Sequence, residues 1–65
     1  MMTAEELCIR NVENGIRAIR LNLKHPRDTM APYALNKLKS INIGLYYDYM
    51  EKYKRVMKEF EKNNK

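Results

Sequence analysis

The 65 residues include 13 Lys/Arg, 8 Asp/Glu and one His, for a formal charge of +5. Such a length builds one small domain, residues 1–65, and below roughly 70–80 residues a single core seldom supplies more than ~3–5 kcal/mol. One cysteine, Cys8, excludes an intrachain disulfide, and Cys8 with His25 alone leaves too few ligands for a structural zinc. A homodimer is the expected staple, and no cofactor is implied.

At the start, "MMTAEELC" carries acids where a signal peptide needs bases. No apolar run approaches the ~18 residues of a membrane span. The expectation is a cytoplasmic protein with no membrane partner.

"TAEE" is a capping pattern: Thr3 accepts from the amide three residues on, and Glu6 reaches back to the Thr3 amide. Ile9, Val12, Ile16, Ile19 and Leu23 then recur at helical spacing and fall within about 80° of one another. The spacing predicts a helix over residues 4–24, ended before Pro26 because the residue preceding a proline avoids helical angles. Glu6–Arg10 and Glu13–Arg17 pair one turn apart on it. Against it stand Asn14-Gly15, a hairpin signal, and Leu7 and Leu21, which leave the seam.

"HPRDT" is the next connector, where Asp28 or Thr29 can cap a second helix with Pro32 in its first turn. From Leu45 onward, Tyr46, Tyr49, Met50, Tyr53, Val56, Met57 and Phe60 share an arc of ~140°. Leu38, Leu35, Ala31 and Asn42 project back into the same arc. That phase predicts one long or kinked helix, 30–62, with Asn42 inside it and mostly buried. The alternative is a turn at Asn42, which would cap a third helix with Ile41 stapled on Tyr46. The expected fold is all-α: an antiparallel helical hairpin that dimerises into a four-helix arrangement, with Asn42 setting register.

Nothing here points to an enzyme. His25 lies in a connector, Cys8 edges an apolar seam, and the carboxylates are interleaved with bases, as in Asp48–Lys52, Glu51–Arg55 and Arg55–Glu59. Arg17, Arg20, Lys24 and Arg27 form the least compensated charge. Tyr46, Tyr47, Tyr49, Met50 and Tyr53, with Asn42, are the protein-interface candidates, since Tyr buries a large ring while keeping a polar tip. Tyr47 alone faces the charged side.

"IRLNLKHPRD" also reads as a strand, 19–24, with Arg20, Asn22 and Lys24 on one face. That stretch resembles the strand of ribbon–helix–helix repressors, and "YKRVMKEFEK" is similar to their second helix. The resemblance covers roughly 45 residues, through short and degenerate motifs. It implies an intertwined dimer whose paired strands enter the major groove, with Arg20, Asn22 and Lys24 reading bases and helix-start amides holding phosphate. Residues 1–18 and Pro32 depart from that pattern.

The leading expectation is a small, non-enzymatic interaction protein that occupies a surface on another macromolecule. A Lys/Asn/Ile/Tyr-rich chain suits AT-rich bacterial genomes and their phages, so a phage or mobile-element product that inhibits a host protein is a special case. Nucleic-acid binding, not favoured, is expected to be weak and non-specific.

Overall fold

A computed structural model describes residues 2–63 and contains α1 (Ala4–Arg20), a short 3-10 turn (Pro26–Asp28), α2 (Ala31–Ile41) and α3 (Ile43–Asn63). The all-helical class is as the periodicity predicts. No helix among the described residues is long and apolar enough to cross a membrane.

The first helix starts at its predicted cap. Thr3 Oγ1 accepts from the Glu6 amide at 3.1 Å, while the Glu6 carboxylate meets the Thr3 hydroxyl rather than its amide. The helix ends at Arg20, earlier than the expected residue 24. The cause is a left-handed stop: Asn22 has φ 58°, its amide donates to Ile19 O, and the Leu23 amide donates to Ala18 O. This is the Schellman arrangement, in which the last carbonyls of a helix find donors beyond its end. Residues 19–24 are therefore helix end and turn, and the strand that carries the repressor resemblance does not form. Leu23, which the expected helix placed in the seam, is exposed, as is Leu21.

Thr29 organises the connector. Its hydroxyl donates to Pro26 O at 2.8 Å and accepts from the Ala31 amide at 3.3 Å, so its side chain is satisfied although buried. Gly15 lies opposite. A Cβ there would sit 2.7 Å from Ala31 Cβ, so the Asn14-Gly15 pair marks a close helix approach and not a hairpin.

The expected 30–62 helix breaks at Asn42, which is exposed and extended (φ −151°, ψ 98°) rather than helical and buried. Its own chemistry makes the break. Asn42 Oδ1 accepts from the Leu45 amide at 3.2 Å, capping α3, and its Nδ2 donates to the Glu5 carboxylate at 2.9 Å. In the seam that amide would have been buried without such partners.

Contacts fix the directions. Ala31 lies against Gly15 and Asn42 against Glu5, so α2 runs antiparallel to α1. Glu5–Asn42, Glu13–Tyr49 and Ile19–Val56 then bring α3 back parallel to α1. The core is Cys8, Val12, Ile16 and Ile19 of α1, Ala34, Leu35 and Leu38 of α2, and Val56 of α3. Tyr46, Tyr49, Met50, Tyr53 and Phe60 pack on it half-buried, so the third helix finds cover within its own chain.

Candidate functional site: a cation-rimmed groove between the first and third helices

Because α2 covers only one side of the α1–α3 pair, the other side is left as a groove of about 760 Å³. At its base lie Ile16 and Val56, both buried in the core, and its open apolar residue is Leu21, 59% exposed. Arg17 and Arg20 rise from α1, and Lys52 and Arg55 from α3. Glu13 and Glu59 are the carboxylates of the rim, leaving an excess of two positive charges. A smaller hollow of about 190 Å³ shares Arg20, Val56 and Glu59 with it and continues to Asn22 and Asn63.

Helical spacing builds each wall. Glu13, Arg17 and Arg20 stand one turn apart, as do Lys52, Arg55 and Glu59. Lys52 Nζ lies 4.9 Å from the Tyr49 ring centre, a cation–π contact that settles the chain on the groove wall. Arg55 reaches Glu51 at 2.7 Å in an exposed pair, of the kind worth ~0–1 kcal/mol. That pair yields easily to a competing carboxylate. Tyr49 is pushed above the usual phenol range first by burial, then by the Glu13 carboxylate and its hydrogen bond, then by Asp48.

The sequence candidates divide between surfaces. Tyr49 lines the groove, whereas Tyr46 and Tyr47 lie with ring centres 5.3 Å apart on another edge of α3. Lys39 stands over the Tyr46 ring at 5.6 Å. Tyr47 is 64% exposed beside exposed Ile43; Met50 and Tyr53 are half-buried and Asn42 is at the α2–α3 joint. Arg20 joins the groove, Asn22 occupies the left-handed stop, and Lys24 lines a separate cleft beside Thr29. These three do not form one face.

Two side chains suited to catalysis are committed elsewhere. Cys8 is 4% exposed in the core. His25 Nδ1 accepts from the Arg27 amide at 3.2 Å, and its ring meets Phe60 edge-on at 5.3 Å.

Sequence reasoning missed Lys52, Arg55 and Glu59 as site residues, because each appeared to be half of a surface pair. Of the expected α3 pairs Glu51–Arg55 closes, while Lys52 turns to Tyr49. Arg17 and Arg20, in the least compensated stretch of charge, were the available signal for the α1 wall. The chain matches no family model, no curated protein and no solved structure.

Proposed function

We propose that this is a small, non-enzymatic interaction protein that occupies an acidic surface of a partner protein through the groove between α1 and α3. One observation carries the reading: four cations, Arg17, Arg20, Lys52 and Arg55, surround an apolar base in a groove of about 760 Å³. Apolar floor with charged rim is the anatomy of a protein contact, in which buried side chains supply affinity and rim charges supply steering and choice. The commitment of Cys8 and His25 to packing supports a role without catalysis.

In its narrower form the partner is a host protein inhibited by a phage or mobile-element product. That step draws on the Lys/Asn/Ile/Tyr-rich composition. A homodimer through the Ile43–Tyr47 edge is compatible with this function, since that edge leaves the groove open. Specific DNA reading loses its support, because residues 21–24 are a turn and offer no row of side chains to a groove.

Affinity capture with the intact protein and with the Arg17→Glu, Lys52→Glu double variant tests the proposal. Both positions are exposed, so the variant should keep its helical circular dichroism. A partner retained by the parent and lost by the variant is expected. Identical capture by both refutes the groove as the binding surface.

A further inference from the structure

Resting on the reading of the groove as a protein-binding surface, we infer that its occupant is an acidic amphipathic helix, laid lengthwise between α1 and α3 to complete a four-helix arrangement. The shape argues first. The two hollows share Arg20, Val56 and Glu59, so one trough runs from Glu13 and Tyr49 to Asn22 and Asn63. Along α3 that is ~21 Å at 1.5 Å per residue, the length of a helix of about 14 residues. A trough between two parallel helices is the kind of seat into which a third helix packs its ridge.

The backbone argues next. An extended peptide gains affinity by pairing with a sheet edge. Among the described residues there is no strand edge to pair with, whereas a helix arrives with its backbone already hydrogen-bonded. The charge pattern decides the chemistry of its flanks. Exposed Leu21, with the half-buried Tyr49 and Phe60, asks for an apolar stripe, and Arg17 and Arg20 on one bank with Lys52 and Arg55 on the other ask for carboxylates on both sides of it. A phosphate backbone suits this less well: Glu13 and Glu59 stand in the rim, and a duplex has no apolar ridge for the floor. Nor does a second copy fit. α1 carries three acids and three bases, and α3 four acids and five bases, so neither presents a net acidic helix.

The test uses three labelled probes against the full chain: a synthetic helix of about 14 residues with a Leu stripe flanked by Glu, the same peptide with two central prolines, and a DNA duplex of equal length. Binding is read by fluorescence anisotropy, helix gain by circular dichroism, and location by the methyl signals of Ile16 and Val56. The helical peptide should bind, gain helicity, shift both methyls and weaken tenfold or more with Arg17→Glu, Lys52→Glu. The proline peptide should bind at least tenfold less tightly. Equal binding of both peptides overturns the helix while leaving an acidic protein partner standing. Preference for the duplex overturns both readings in favour of nucleic acid. Binding of no probe overturns the helix proposal, and the capture experiment then decides the general reading separately. A sedimenting dimer that dissociates with the double variant would make the occupant a second copy and refute the inference.

Discussion

Replacing Gly15 by alanine sets two effects of opposite sign against each other. A glycine inside a helix costs about 1 kcal/mol relative to alanine, so propensity alone favours the change. The added Cβ, however, lies 2.7 Å from Ala31 Cβ, 3.2 Å from Thr29 Oγ1 and 3.3 Å from the Ala31 amide. Ordinary carbon contacts are ~3.5–4.0 Å, so the overlap with Ala31 is roughly 1 Å, and it meets atoms with no rotamer to escape into. Overpacking of this kind costs ~1–3 kcal/mol, and the rigid neighbours place it in the upper half. The net expectation is a loss of about 1–2 kcal/mol, or about 5–15 °C in melting temperature for a chain this short. Gly44 is the control: the nearest atom to its added Cβ is Asn42 Oδ1 at 3.5 Å, an ordinary contact, so Gly44→Ala should gain up to ~1 kcal/mol. Urea melts followed by circular dichroism give both numbers. Ala31→Gly should recover more than ~0.5 kcal/mol in the Gly15→Ala background relative to additivity. If Gly15→Ala is as stable as the parent, the close approach does not exist and the α1–α2 register is wrong.

Three further outcomes follow from the geometry. Asn42→Ala should cost ~1 kcal/mol by removing the α3 cap and the Glu5 link, and urea melts that show a gain instead would restore the buried Asn42 of the continuous helix. Tyr49 and Tyr53 both titrate above their ordinary value of 10.0, Tyr49 through burial and then Glu13, and Tyr53 through burial. The folded state therefore holds more protons above pH 10, so the stability from these phenols is intact below that pH and lost as pH rises through the raised values. Tyr49→Phe, Tyr53→Phe should flatten the fall of the urea midpoint above about pH 10; an unchanged slope refutes it. Sedimentation across micromolar concentrations should show reversible self-association that Tyr47→Lys weakens, because a core this small gains from covering Ile43 and Tyr47; a constant 7.8 kDa mass removes the dimer.

The helices were largely legible because apolar spacing reports which side of an axis is covered. Ile9 to Ile19 located α1, and the arc through Leu45, Tyr49 and Val56 located α3. Phase is silent on whether the axis bends. Leu35 and Leu38 share an arc with Leu45 because α2 and α3 both face the same α1 seam, so a continuous helix and a folded-back one project alike. Cap chemistry held the missing information: Asn42 bonds to an amide three residues on and to Glu5, and only the second partner depends on tertiary structure. Gly15 was ambiguous for a similar reason, since Asn-Gly looks the same in a turn and in a helix that must admit a neighbour. The groove was half visible. Arg17 and Arg20 belonged to the least compensated stretch of charge in the sequence, but Lys52 and Arg55 joined them only after the chain reversed.

The two connections between helices also differ in slack. Ten residues, 21–30, separate α1 from α2, whereas Asn42 alone separates α2 from α3. A residue inserted near Lys24 enlarges a surface loop whose closure entropy changes slowly with length. One inserted beside Asn42 has no loop to enter. It must open the corner or lengthen a helix, and one added residue turns that helix by about 100° about its axis. Such a turn would rotate Lys52 and Arg55 off the bank of the groove and bring the Ile43–Tyr47 edge round towards α1. Sequence drift, tags or grafted segments can therefore collect around Lys24 without turning the third helix, while the second joint meters the register of that whole helix. Residue count at that position guards the site as strictly as residue identity does.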